Sequence, residues 1–399
     1  MPCALDILEE TRTITFDYPY DNSATTFIPD NIFEDYLEDL GFGDDIAYND
    51  LVFTNRIENM AIVDFNYVFD YILSLEGINA FKELKILRCQ SNAISNLDVS
   101  QNLKLEQLWC YNNPITELDV SQNVNLEQLE ISENNINTID ISQNVNLETL
   151  NVSRNNINTI DVSQNVNLKR LWINENNIEN IDISNNIALE WFYCPGNFLT
   201  SINTSNNINL RHLYFGLDFI TEVDLSDNFL LKRVEILEGQ ITTLDLSNNP
   251  QLEYVGLLYN DNLTSLNLKN GNNANLDHLI CWGSEELFCI DVDAPVQDDY
   301  PDWHVSDWTI FSEDCSLGIE DILATQIMLY PNPAQNVLHL ENSSGYHINS
   351  LKIYVVIGRR VFSLNHPTNL LDVSNLKAGL FFVSIKTDQG TLIKKFVKE

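Results

Sequence analysis

LDVSQNLKLEQLWCYNNPITE (97–117), LDVSQNVNLEQLEISENNINT (118–138), IDISQNVNLETLNVSRNNINT (139–159) and IDVSQNVNLKRLWINENNIEN (160–180) follow one another and align without a gap. The frame continues through IDISNNIALEWFYCPGNFLTS, INTSNNINLRHLYFGLDFITE, VDLSDNFLLKRVEILEGQITT and LDLSNNPQLEYVGLLYNDNLTS. The leading leucine of each rung falls at Leu84, Leu105, Leu126, Leu147, Leu168, Leu189, Leu210, Leu231, Leu252 and Leu276, so the step is 21 eight times and then 24. A fixed period of this size is the sequence signature of a stacked-repeat architecture.

Each rung reads LxxLxLxxNxI and resembles the leucine-rich repeat, at the short end of its length range. In the rung that begins at Leu105, the apolar set Leu105, Leu108, Cys110, Ile115, Leu118, Val120 and Val124 is read as pointing inward. One rung cannot bury such a set alone, so neighbours must stack and share stability along one axis. Gln107–Tyr111 alternates polar and apolar, the period of a strand. Parallel stacking of ten such strands gives a sheet about 45–50 Å long. The expected fold is a leucine-rich-repeat solenoid, with a parallel sheet on the concave face, a mostly irregular convex side and a helical N-cap, followed by a small all-β sandwich.

Two asparagine columns repeat in the same frame: Asn113, Asn134, Asn155, Asn176, Asn197 and Asn260; and Asn123, Asn144, Asn165, Asn186, Asn207, Asn228 and Asn249. An amide offers donors and an acceptor together, so buried ladders of this kind can satisfy the backbone of each tight turn. The open ends of a solenoid need covers. IPDNIFEDYLEDLG (28–41) reads as a helix with Asp30 as N-cap, an apolar face of Phe33, Tyr36, Leu37 and Leu40, and Gly41 as its stop. At the other end Trp303, Trp308 and Phe311 are placed to cover the last rung. The divisions expected are a lead (1–27), an N-terminal cap (28–83), the solenoid (84–288), a C-terminal cap (289–317), a linker (318–325) and a tail domain (326–399).

The chain has 399 residues and carries 21 Lys and Arg against 58 Asp and Glu, a formal net charge of −37. The charge is lopsided: 13 basic and 52 acidic side chains lie in residues 1–317, 8 and 6 in residues 318–399. A body so acidic repels phosphate backbones and anionic lipid, which excludes nucleic acid as a partner. No stretch approaches the roughly 18 consecutive apolar residues of a membrane span. MPCALDILEETRT at the start shows neither a cationic n-region nor an apolar h-region, so no signal peptide is visible there.

From about residue 324 the period vanishes. ILATQIMLYPNPAQNVLHL, LKIYVVIGRRVF, NLLDVSNLKAGLFFVSIKT and GTLIKKFVKE read as short strands of a small sandwich. Tyr330, Pro331, Asn332 and Pro333, then Gly358, Gly379 and the closing KKFVKE with Lys394 and Lys395, resemble the C-terminal sorting domain of type IX secretion in Bacteroidota. The body resembles the leucine-rich-repeat surface proteins that carry this tail. The resemblance implies export to the outside or the outer-membrane surface, engagement of the type IX machinery and removal of the tail. It also implies a cleavable signal peptide.

The cysteines divide by position. Cys89, Cys110, Cys194 and Cys281 share the inward strand position that other rungs give to Ile131, Val152, Ile173 and Phe215, and read as core. Cys289 and Cys315 bracket the C-terminal cap and read as a disulfide, which fits an oxidising compartment. Cys3 has no evident partner. None of the six histidines, His212, His278, His304, His339, His347 and His366, falls in a catalytic or zinc spacing. No enzyme and no cofactor is expected. A column of carboxylates at Asp98, Asp119, Asp140, Asp161, Asp182, Asp224 and Asp245 reads as a solvated face bonded to turn residues such as Ser121 and Ser142. The groups Asp44–Asp45 and Asp291, Asp293, Asp298 and Asp299 are candidate oxygen ligands for calcium.

A ligand is expected on the outward strand positions. Arg170, Trp172, Trp191, Tyr193, His212, Tyr214, Arg233 and Tyr254 concentrate aromatic and basic side chains there, whereas the two rungs before them are small and polar. The functional expectation is a monomeric, secreted or surface-displayed recognition and adhesion protein that binds a protein on this face. The alternative is polysaccharide capture by the same rings; the bland reading is that the rings only stack on one another.

Overall fold

The computed structural model describes residues 24–66, 70–294, 302–306, 309–315, 326–343, 347–356, 358–365, 367–387 and 391–399. The chain forms two compact units, residues 1–165 and residues 166–399.

In the first unit the strand Thr25–Phe27 pairs antiparallel with Leu51–Phe53 beside the helix Asn31–Asp39. Asp30 caps that helix: its Oδ1 accepts from Ile32 and Phe33 N–H at 3.0 and 3.1 Å. Its Oδ2 takes Leu73 and Ser74 N–H at 2.7 and 3.0 Å, so one carboxylate fixes both the helix start and the chain that crosses it. Phe33 and Leu37 are buried, with Phe33 packed on Phe65 and Phe81. Leu40 departs from the expected apolar face: it is the C-cap, past the last turn, and half exposed. Glu34 is buried instead, its carboxylate accepting from Asn49 and Asp50 N–H.

Parallel strands Ile62–Asp64, Ile86–Arg88, Gln107–Trp109, Gln128–Glu130 and Thr149–Asn151 follow in strict register in this unit. The first precedes the rung marked by Leu84. The second unit repeats the arrangement with Arg170–Trp172, Trp191–Tyr193, His212–Gly216, Arg233–Leu237, Tyr254–Leu258, His278–Ile280 and Trp303–His304. It also has a second parallel sheet on the opposite side, of Thr243–Asp245, Ser265–Asn267, Cys289–Asp291 and Ile310–Ser312. Behind the strands of each unit the leucines are buried, with Cys89 and Cys110 in the first unit and Cys194 and Cys281 in the second. Val124 does not join them. The turn closed by Asn123 N–H to Val120 C=O swings the next residue outward, and Val124 is 46% exposed.

Both asparagine columns are buried and act as backbone braces. Nδ2 of Asn123 donates to Val99 and Asn102 C=O, each at 3.0 Å, and Asn144 repeats this on Val120 and Asn123. Asn207, Asn228 and Asn249 do the same in the second unit. The other column works with both ends of the amide. Asn113 Nδ2 donates to Cys89, Cys110 and Tyr111 C=O while its Oδ1 accepts Ile94 N–H. Some rungs depart from the pattern. Thr204 stands where other rungs have Val, Ile or Leu, and its hydroxyl donates to Asn228 Oδ1 at 2.7 Å. Asp218 replaces an asparagine; its oxygens accept Gly216 and Ile220 N–H at 3.1 Å, and burial raises its pKa.

Cys289 and Cys315 form a disulfide with a Cα–Cα separation of 5.8 Å. Trp303 donates from Nε1 to Leu276 C=O at 2.8 Å and packs on Phe311, while Trp308 lies outside the described residues. The tail is antiparallel: Ile327–Tyr330, Val337–Asn342 and Leu370–Asp372 form one sheet, and Arg360–Asn365, Ile348–Val355, Gly379–Thr387 and Thr391–Lys398 the other. Leu338, Leu351, Ile353, Val383 and Phe396 lie in the core between them.

Two stability measurements check the braces. Val120 lies 24 residues before Asn144, whose Oδ1 is buried without a hydrogen bond among the described residues, as Thr204 lies before Asn228. Val120→Thr therefore melts close to the parent protein, rather than losing the roughly 1–2 kcal/mol of an unpaired buried hydroxyl. Asp218→Asn returns the amide to its column. Because folding raises the Asp218 pKa, its carboxylate weakens the fold as pH rises. The Asn variant gains about 1 kcal/mol at pH 7, and the gain shrinks in melts at acidic pH where Asp218 is protonated in both states.

Candidate functional site

The site lies in the second unit, on the sheet face turned away from the leucine core. In-register pairing turns each strand position into a row. The first row runs Arg170, Trp191, His212, Arg233, Tyr254, His278, and the second Trp172, Tyr193, Tyr214, Glu235, Gly256. All eight residues singled out in the sequence are therefore brought onto one face by register alone.

Their contacts run along and across the rows. Trp191 stacks on His212 with centroids 3.7 Å apart and planes 21° from parallel. Tyr193 lies 6.0 Å from Trp172 and meets Tyr214 edge to face at 5.9 Å. The Arg233 guanidinium sits 3.8 Å above the Tyr254 ring and donates from Nε to Glu235 at 2.6 Å. Tyr254 in turn approaches His278 at 5.9 Å. Gly256 makes room for this: a Cβ there would come within 2.8 Å of the Tyr254 ring.

Electrostatics follow from partial burial. Burial, with Glu235 next, raises the phenol pKa of Tyr193 and Tyr214. Burial, reinforced by Arg233, lowers the His212 pKa, so this imidazole is held neutral. Burial opposes the charge of Arg233, but the Glu235 hydrogen bond and nearby negative charge outweigh it. The surface is thus an aromatic platform with one internally neutralised ion pair. Nothing in it resembles a nucleophile with its base.

Sequence reasoning missed two features. Glu235 is the partner that organises Arg233, legible only once its row is aligned with Tyr193 and Tyr214. In the first unit Arg88 lies 4.5 Å over the Trp109 ring and pairs with Asp64 at 3.0 Å, contacts that join neighbouring rungs.

The carboxylate column serves the turns: Ser121 and Ser142 N–H donate to Asp119 and Asp140, and with the serine side chains hold those carboxyls below their usual pKa. The candidate calcium ligands are engaged locally. Asp44 accepts from Ile46 N–H and Asn49 Nδ2, Asp45 pairs with Arg56 at 3.6 Å, and Asp291 accepts from Cys315 N–H. Asp293 accepts from Gly271 and Asn273 N–H. Asp298 and Asp299 lie outside the described residues, as does Cys3. Among the described residues no three His, Cys, Asp or Glu gather as metal ligands.

The second functional region is the tail. Asn332 acts as a piece of strand: its Oδ1 accepts Val397 N–H at 2.9 Å and its Nδ2 donates to Lys395 C=O at 3.4 Å. Ala334 N–H donates to Val397 C=O and its own C=O accepts from Glu399 N–H, so residues 332–334 cover the edge of the last strand. Tyr330 stacks on His339 at 5.0 Å. Gly358, at φ +80°, closes the turn after Ile348–Val355, and Gly379, at φ +152°, starts the strand Gly379–Thr387. Lys394 is half-buried, which lowers its pKa, and Lys395 is exposed.

Comparison with known proteins bears on both regions. Residues 328–399 match the family described as secretion system C-terminal sorting domain. No curated protein matches the chain. Among solved structures, the chain is similar to the functional domain of InlJ from Listeria monocytogenes, which includes a cysteine ladder: 20% identity, TM-score 0.48, covering 94% of this chain and 99% of that one. An internalin, InlF, of the same organism gives 20% identity and TM-score 0.48 over 70% of this chain and 91% of that one. A leucine-rich-repeat protein of Leptospira interrogans gives 18% and 0.48 over 53% and 61%. The chain thus has a leucine-rich-repeat fold of parallel rungs, and its residues 328–399 match the sorting-domain family.

Proposed function

We propose that this is a secreted or surface-displayed recognition protein that binds a protein partner through the aromatic face of its second unit, after export directed by residues 328–399. The observation that carries the choice of ligand is how the rings are already used. A sugar needs a free flat face, but one face of Trp191 is covered by His212 and one of Tyr254 by the Arg233 guanidinium. Half-buried aromatic and Arg side chains, held by their neighbours before a partner arrives, are what protein interfaces use as anchors. A glycan remains the competing ligand because Trp172, Tyr193 and Tyr214 form a second, continuous row.

The two ligands part in one experiment. The full chain is run through native gels containing a panel of polysaccharides and is also immobilised to retain surface proteins, each beside a Trp172→Ala/Tyr193→Ala/Tyr214→Ala variant. The expected result is no retardation by any polysaccharide, and a retained protein that weakens at least about tenfold in the variant. Retardation that disappears in the variant overturns the protein reading in favour of a glycan.

Export rests on the tail's fold. Asn332→Leu removes the bonds to Val397 and Lys395, so the variant accumulates inside cells while the melting of the repeats is unchanged. Equal surface display of Asn332→Leu and the parent sinks that assignment.

A further inference from the structure

The turn that follows each strand provides its own internal comparison, because every rung places a residue at the same two positions there. The first position is left-handed in every rung: Asn112, Glu133, Arg154, Glu175, Gly196, Leu217, Glu238 and Tyr259. The second, two residues on, holds Pro114, then Asn135, Asn156 and Asn177, and changes to Phe198 and Phe219 before Gln240 and Asp261. Small polar residues suit an exposed turn, so the change calls for a reason.

Stability does not supply one. Phe198 and Phe219 stack on each other, centroids 6.3 Å apart and planes 15° from parallel, yet remain 47% and 58% exposed. Leu217 between them is 44% exposed and sits at φ +54°, a conformation that costs a non-glycine residue roughly 1 kcal/mol. Three large apolar side chains thus face water on adjacent rungs, one of them at a backbone cost.

What lies beside them is acidic. Over the next two rungs, Glu238, Tyr259 and Asp261 line an open hollow of about 520 Å³. On the other side Glu175 packs against the backbone of Gly196. We propose that this edge is a docking surface, separate from the aromatic face, for a protein segment that alternates apolar and cationic residues. The apolar side chains cover Phe198, Leu217 and Phe219. A Lys or Arg enters the hollow between the two carboxylates and over the Tyr259 ring. The partner's charge is opposite to that of a body with 13 basic and 52 acidic residues.

The test uses the full chain and three labelled synthetic peptides, of alternating Lys and Leu, Glu and Leu, and Lys and Ser, followed by fluorescence anisotropy. The neighbouring rungs prescribe the variant, Phe198→Asn/Leu217→Asn/Phe219→Asn, which restores the residue type of the rungs before it and melts no lower than the parent. The Lys/Leu peptide is expected to bind, more weakly at high salt, and to lose at least about tenfold in the Asn variant. The other two peptides bind at least about tenfold more weakly, and the Trp172→Ala/Tyr193→Ala/Tyr214→Ala variant keeps the parent affinity. Equal binding by the Asn variant, equal binding of the Glu/Leu or Lys/Ser peptide, or no binding of the Lys/Leu peptide overturns the proposal. None of these outcomes bears on the aromatic face, whose own variant is read separately.

Discussion

The structure depends on how a buried asparagine amide meets the carbonyls of the rung before it. A 21-residue loop with a three-residue strand cannot satisfy its own backbone, and carbonyls such as those of Val99, Asn102, Val120 and Asn123 meet buried amides at its corners. Asn123 and Asn144 carry those carbonyls across the gap, and Asn113 does so with donor and acceptor at once. An unpaired buried carbonyl costs about 1–3 kcal/mol, so a ladder of such contacts decides whether the loops hold their pitch. Leucine burial supplies the cohesion, and the amides supply the register.

Register in turn makes the aromatic face. Trp191, His212 and Tyr254 do not come together because a pocket folds around them; they occupy one row because each rung repeats the last. This is why so much was legible in the sequence. The period placed the strands, the core leucines, the buried cysteines and both asparagine columns, and the same frame listed the outward residues in order. Side-chain pairing was not legible. That Arg233 turns to Glu235 and Tyr254, rather than to solvent, depends on the space left by Gly256, which no row read alone reveals.

The misreadings have physical causes too. Val124 and Leu40 are apolar and fall where a period predicts burial, but each follows a turn that rotates it outward. The contact of Arg88 with Trp109 was not legible because a cation over a ring joins two rungs, and neither rung taken alone shows it. The second sheet, built from Thr243–Asp245 onward, appears where rungs lengthen and their far sides straighten enough to pair.

Short loops stacked in parallel also have a mechanical character. Each rung advances the sheet by only about 4.8 Å but stores 21 residues, about 70 Å of extended chain. Tension that peels one rung away therefore releases roughly fifteen times the distance it removes from the stack. A protein displayed at a cell surface and pulled by its partner would lengthen in discrete steps, each sacrificing one set of ladder contacts while the rungs behind it keep theirs. The repeat that forms the aromatic face is thereby also extensible.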